Sequence, residues 1–315
     1  MRNANLLLNL IRITLSIPIL FGMLAGLVSC QQSSPVPDGN KLNIVATTSL
    51  VGDVVSQVGG DKISVDVLLP LGTDPHSFSP TPQDAAAIAD AQIMFANGVG
   101  LEAFLKPLMN NIGGSSKVVE VSDGIKYLTM VDEGLKSTQQ VDDPHTWMDP
   151  NNVIIWVDNI VRALSKQDPN NAAYYHENGQ AYQAKLRELD AWIRSESSVI
   201  LEQDRKLVTD HRVFGYFSNE YGFSQVGTII PGFSSLAEPS AKDIAQIEDT
   251  IRSLGVKAIF INVGGNANLA QRISEDTGTR LVPLYMHSLS DVGGVAGNYI
   301  DFIRYDVTSM INALK

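Results

Sequence analysis

From Leu42 onward, short β-branched runs alternate with stretches whose apolar residues recur at helical spacing. That alternation is the signature of βα units built on a parallel sheet. Residues 43–46, 63–69, 93–95 and 117–121 predict strands in the first half, and 206–209, 223–230, 258–261 and 281–283 in the second. Thr81-Pro82-Gln83-Asp84 predicts a helix start, with Thr81 as cap, Pro82 in the first turn and Asp84 facing the positive helix end. Asp149-Pro150 opens a further helix, marked by Val153, Trp156, Val157, Ile160 and Leu164. Ile300, Ile303, Val307, Ile311 and Leu314 mark a closing one.

Asp168-Pro169 opens a longer helix that runs on to about Glu202, with Tyr182, Leu186, Leu189 and Ile193 on one apolar stripe. Some 33 residues of helix span roughly 50 Å, too long to cross one sheet, which places the helix between two lobes. The expected fold is therefore α/β, with two (β/α)4-type parallel-sheet lobes joined by a long rigid α-helix. No internal repeat is visible residue by residue; the halves match only in their order of elements.

The amino terminus breaks this pattern. Arg2 and Arg12 precede an uncharged apolar run over residues 13–28, interrupted by Pro18, Gly22 and Gly26, and no acid occurs before Asp38. The run is shorter than the roughly 20 residues of a membrane-spanning helix and reads as a secretory signal peptide. It ends in Leu27-Val28-Ser29-Cys30, which resembles a bacterial lipobox, in which the cysteine is lipidated and becomes the new first residue. The expected organisation is a signal peptide over 1–29, a lipidated Cys30 and flexible tether over 30–41, an amino-terminal lobe over 42–167, a linking helix over 168–203 and a carboxyl-terminal lobe over 204–315. Such a chain works outside the cytoplasm, held to the membrane by its lipid.

Composition narrows the chemistry. The 315 residues are 44% hydrophobic and 18% charged, which excludes low-complexity disorder and fibrous repeats. Thirty-four acids against 23 Lys and Arg give a net charge of −11, so nucleic acid is not a partner. A single cysteine excludes an intramolecular disulfide and a Cys-based metal site. That leaves the five histidines. Four of them, His76, His145, His211 and His287, lie just after predicted strands or in the loops that follow, where open α/β sheets bind ligands. Three carry an aspartate one or two positions earlier: Asp74-Pro75-His76, Asp143-Pro144-His145 and Asp210-His211. Metal-bound imidazoles commonly give their other N–H to such a carboxylate, which makes Asp74, Asp143 and Asp210 candidate outer partners. His176, in Tyr174-Tyr175-His176-Glu177, reads as a surface helical histidine.

From Leu42 to the end, the chain carries Asn43-Ile-Val-Ala-Thr-Thr-Ser49, Gly72-Thr-Asp-Pro-His-Ser-Phe-Ser-Pro-Thr-Pro82, Asp143-Pro-His-Thr-Trp-Met-Asp-Pro150, His211-Arg-Val-Phe-Gly-Tyr-Phe217 with Tyr221-Gly222, and Leu284-Tyr-Met-His-Ser-Leu289. In this order and spacing they resemble the motifs of the metal-binding solute-binding proteins of bacterial ABC importers, which take up zinc or manganese and include surface lipoproteins. The resemblance implies two lobes, a rigid linking helix and one metal in the cleft. His76 and His145 match the two histidine ligands of the first lobe. His211 matches a third position that is histidine in zinc-type members and often glutamate in manganese-type ones. Three features depart from the family. His287 stands where an aspartate ligand is usual, Asn262 stands where Glu is common, and residues 126–142 hold the acids Asp132, Glu133 and Asp142 but none of the histidines that many zinc-type members carry there.

Four neutral imidazoles suit Zn²⁺, whereas Mn²⁺ prefers carboxylate oxygen; Cu²⁺ binds imidazole more strongly than zinc and competes for such a set. The expected activity is capture of a divalent ion, zinc first, by a monomer that delivers it to a membrane permease, with affinity falling as pH drops through the histidine range. The loop over 126–142 is expected to do most of the moving. A secreted zinc hydrolase is the alternative from another class, with three histidines and a water on the metal. Against it, the chain has no His-Glu-x-x-His helix, no Gly-x-Ser-x-Gly elbow and no evident base. Contact with host molecules as an adhesin is a third class, to which no residue pattern points.

Overall fold

The computed structural model describes residues 41–112, 117–131 and 140–315. Cys30, the signal segment and Asp132 and Glu133 lie outside the described residues.

Two four-stranded parallel sheets organise the chain. The first has the order β2-β1-β3-β4, formed by Leu42–Ala46 (β1), Ile63–Val67 (β2), Ile93–Ala96 (β3) and Val118–Glu120 (β4). The second has the order β10-β9-β7-β8, formed by Lys206–Thr209 (β7), Ser224–Thr228 (β8), Ala258–Asn262 (β9) and Arg280–Leu284 (β10). Taken in chain order within each lobe, both sheets share one strand order. Both therefore reverse direction between their first and third strands, the switch point at which ligands of open α/β sheets bind. A short antiparallel ladder, Thr129–Val131 (β5) with Gln140–Asp142 (β6), stands apart from them.

Alternation along the strands sends side chains to two different cores. In β1, Ile44 and Ala46 face a central cluster while Val45 faces an outer one, and in the second lobe Leu207 and Phe260 face the centre while Val208 and Ile259 face outward. Burial on both faces explains why these strands read as unbroken apolar runs.

The central cluster includes Ile44 and Phe95 of the first lobe, Leu207, Phe260 and Leu284 of the second, and Leu186, Leu189 and Ile193 of the helix between them. Each such side chain, fully buried, contributes about 1.5–3 kcal/mol relative to exposure.

The helices of the first lobe are Ser49–Gly59 (α1), Pro82–Asp90 (α2), Leu105–Ile112 (α3) and Pro150–Gln167 (α4). Thr81 caps α2 as expected, in a reciprocal box with Asp84, and Asp149 caps α4 by accepting from the Asn151 amide. The linking helix is Ala172–Ser197 (α5), 26 residues and about 39 Å long. It is shorter than the expected element. Pro169–Asn171 forms a separate 3-10 turn, because the Asp168 carboxylate accepts from the Asn171 side-chain Nδ2 and the Tyr175 hydroxyl. At the other end, the Ser198 N–H is shared among carbonyls of the last turn, and Glu202–Asp204 is again a 3-10 turn. Gly179 lets α5 lie directly on α4, since a Cβ there would meet Val161 at 2.6 Å. The second lobe carries Gly215–Tyr221 (α6), Ala241–Leu254 (α7), Asn268–Thr277 (α8) and Tyr299–Leu314 (α9). Among the described residues, no helix is long and apolar enough to cross a membrane.

Candidate metal centre

Each of the four loop histidines follows a strand, and the local chemistry of its loop explains how it is presented. In Asp74-Pro75-His76 the Asp74 carboxylate folds back to accept the His76 amide at 2.8 Å, and in Asp143-Pro144-His145 the Asp143 carboxylate accepts the His145 amide at 3.0 Å. Proline between them fixes its own φ and offers no competing N–H. The repeated tripeptide is therefore one turn used twice. His211 stands two residues beyond β7, with its amide and its Nδ1 each 2.7 Å from Asp210 Oδ1. His287 stands three residues beyond β10.

The four loops converge. His76, His145, His211 and His287 each offer one ligand atom, and these atoms all lie within 4.8 Å of one another. Within that set, His76 Nε2 is 3.2 Å from His145 Nε2, and His211 Nε2 is 3.0 Å from His287 Nε2. Tetrahedral zinc bonds of about 2.0–2.1 Å would separate the nitrogens by about 3.3 Å. His145, His211 and His287 are buried, and His76 is partly so. A cavity of about 470 Å³ opens beside them, lined in part by Asp74, Asp210, Ser235 and Asn262. His176 is exposed on α5 and takes no part.

Two carboxylates fix which nitrogen faces the centre. Asp143 Oδ1 lies 2.7 Å from His145 Nδ1, as Asp210 Oδ1 does from His211 Nδ1, so the proton stays on Nδ1 and the Nε2 lone pair points inward. The two pairs differ in charge. Burial pushes Asp143 up to about 7 and drops His145 well below the ordinary histidine range, so near pH 7 His145 is neutral and Asp143 is only partly ionised. Burial also works against charge on His211 and Asp210. Their mutual attraction outweighs it, so His211 is raised and Asp210 lowered. Burial drops His76 to about 3, helped by the neighbouring His287 and His211, and drops His287 to about 4, helped by His211. Three of the four imidazoles are thus neutral and ready to donate a lone pair at ordinary pH.

Residues 44–313 match the family described as zinc-uptake complex component A, periplasmic. The chain belongs to that family. Its members are solute-binding components rather than enzymes, which removes the hydrolase alternative. The chain is 31% identical over 299 residues to a manganese-binding lipoprotein of Halalkalibacterium halodurans, covering 94% of this chain and 96% of the relative. It is 28% identical over 299 residues to a manganese ABC transporter substrate-binding lipoprotein of Streptococcus pneumoniae, covering 91% and 94%. Among solved structures, the periplasmic zinc-binding protein of Treponema pallidum superposes with a TM-score of 0.80 at 26% identity, over 87% of this chain and 99% of that one. A manganese-bound metal-binding protein of Candidatus Liberibacter asiaticus superposes at 0.78 with 28% identity, over 87% and 100%. Names within the family thus carry both metals.

Several residues around this family's cleft carry no mark in the sequence. Ser235, in the loop after β8, donates to Asp74 Oδ2 from the other lobe, and Phe233 lies 6.1 Å from the His145 ring. The Trp147 indole donates to the Met286 carbonyl across the lobes at 2.9 Å. Buried Glu102 accepts from Thr47 and from the amides of Asn97 and Gly98, and the Asn97 side chain in turn donates to the Pro144 carbonyl beside His145. Thr47, Trp147 and Met286 fall within the motifs quoted above, whereas Ser235, Phe233, Glu102 and Asn97 lie in none of them.

Proposed function

We propose that the protein captures a divalent transition-metal ion on His76, His145, His211 and His287, zinc in preference to manganese or copper, and delivers it to the membrane permease of an ABC importer. The observation that carries the preference over manganese is the donor set: four imidazole nitrogens and, among the described residues, no carboxylate in the convergent group. Zinc accepts four-coordinate nitrogen ligation, whereas manganese favours oxygen and binds N/O/S sites more weakly. Asp143 and Asp210, on the outer nitrogens of His145 and His211, offset the ion's charge.

Export and a lipid on Cys30 place the binding lobes outside the membrane that holds the permease, and the lipoprotein names of the relatives support this placement. The protein acts as a monomer, one ion per chain. Manganese is the second reading, supported by the relatives named for that metal.

The test is elemental analysis after equilibration with equal zinc, manganese and copper followed by dialysis. One zinc per chain is expected, lost in His76→Ala or His211→Ala and kept in His176→Ala. Retained manganese in place of zinc would establish the second reading, and no retained metal would remove both.

A further inference from the structure

At the carboxyl edge of the second sheet, where the ladder should end, side chains carry it further. Asp210 continues β7, and its Oδ2 accepts the backbone N–H of Asn262 at the end of β9, 3.0 Å away. Asn262 pairs in register with Leu284 of β10, and beyond that pair its side-chain Oδ1 accepts the backbone N–H of Met286 at 3.1 Å. Two side-chain acceptors thus add one rung each across three neighbouring strands. The intervening Tyr285 N–H is taken from the other side by Asp306.

Each rung ends next to an imidazole. The Asp210 carboxylate that receives the Asn262 N–H also holds His211 Nδ1, and Met286 immediately precedes His287. His287 has no polar contact of its own to orient it among the described residues apart from the neighbouring imidazole, since its Nδ1 is buried without a partner. Its position is therefore set by its backbone, and the backbone is set on one side by Asn262.

We infer that the Asn262 side chain is the positioning group for His287, acting through the Met286 N–H, while its backbone N–H, which any non-proline residue would supply, bonds the Asp210 carboxylate beside His211. The inference rests on the metal-capture reading and gives it an internal gauge. A side chain at 262 must present an acceptor two bonds from Cβ. Alanine presents none, serine falls one bond short, and aspartate reaches but adds a negative charge beside Asp210.

The experiment uses the full-length protein in detergent, wild type and Asn262→Ala, Asn262→Ser and Asn262→Asp. In the metal-free proteins, amide hydrogen exchange at Met286 and the imidazole nitrogen resonances are recorded by NMR; zinc affinity is then measured by competition with a chelator. In Asn262→Ala and Asn262→Ser, Met286 is expected to exchange at least tenfold faster. The His287 resonances should shift more than those of His211, whose Asp210 keeps its bond from the backbone N–H of residue 262, while those of His76 and His145 stay, and zinc affinity should drop about 10–100-fold, the usual cost of losing a partner that orients a ligand. Asn262→Asp is expected to restore zinc affinity to within about threefold of wild type. The inference is overturned by unchanged exchange at Met286 in the Ala and Ser variants, by an equal shift of all four imidazoles, or by an Asp variant as weak as Ala. If wild type takes up no zinc, the capture reading fails, and the exchange and resonance data still decide the role of Asn262 separately.

Discussion

The indole N–H of Trp147 donates to the main-chain carbonyl of Met286 at 2.9 Å, joining the loop that carries His145 to the loop that carries His287. Both residues are buried, and the Tyr299 hydroxyl bonds the Trp147 carbonyl from behind at 2.7 Å. The two lobes therefore meet through a hydrogen bond one or two residues from an imidazole on each side. Trp147→Phe keeps an aromatic ring and leaves the buried Met286 carbonyl without its donor, a loss of about 1–3 kcal/mol of stability. Calorimetry of the metal-free protein should show the lower melting temperature, and chelator competition should show zinc binding weakened about tenfold. A variant as stable as wild type would mean that water replaces the indole at no cost.

Proton release should accompany metal uptake, in an amount set by two groups. Zinc needs a neutral imidazole. His211, raised above the ordinary histidine value, holds a proton in the metal-free protein below its own pKa and must give it up on binding. Affinity is therefore greatest above that pKa and falls as pH drops through it. Asp143, raised to about 7, is also protonated near pH 6, and a cation beside His145 favours its carboxylate form. His76 at about 3 and His287 at about 4 are already neutral there and contribute nothing. Titration calorimetry in buffers of different ionisation enthalpy at pH 6 should find about two protons released per zinc, and about one in Asp143→Asn. Equal release from both proteins would exclude Asp143 as a proton source.

Gly215 opens α6 in the second lobe, and a Cβ at this position would stand 2.3 Å from Asp143 Oδ2 of the first. That oxygen is buried and has no hydrogen-bond partner. Gly215→Ala should push Asp143 off the His145 ring, destabilising the fold by about 1–3 kcal/mol and weakening zinc binding about 10–100-fold. Thermal denaturation and chelator competition measure the two effects. If stability falls while affinity holds, Asp143 does not orient His145.

Ser235 reaches across the cleft to Asp74. Its loss should affect how long the ion stays more than how fast it enters, because one interlobe bond acts on dissociation. Stopped-flow release of zinc into excess chelator should run about fivefold faster in Ser235→Ala, equivalent to one ordinary hydrogen bond. Association should change less than twofold by the same reasoning. A slower association with unchanged release would assign Ser235 to entry instead.

Local sequence carried much of this protein's design. β-branched runs broken by capped helices determine two parallel-sheet lobes, because strands buried on both faces must be apolar throughout. The Asp-Pro-His tripeptides determine their own turns, because the carboxylate is two residues from the amide it accepts. The positions of His76, His211 and His287 after strands were legible for the same reason, since strand ends are visible in sequence; His145 instead follows β6, a short antiparallel strand that the apolar pattern does not predict. Where the linking helix stops was less legible, since the apolar stripe runs through Ile193 while side-chain competition at Asp168 and carbonyl sharing at Ser198 trim both ends.

Tertiary structure alone decided the rest. How closely the His76–His145 pair approaches the His211–His287 pair depends on how two sheets pack on one shared core. The contacts of Trp147 with Met286, Ser235 with Asp74 and Gly215 with Asp143 join segments 72 to 161 residues apart. A local pattern encodes hydrogen bonds within a turn or a helix. It does not encode which carbonyl or carboxylate another lobe will present, because that follows from the packing of the whole chain.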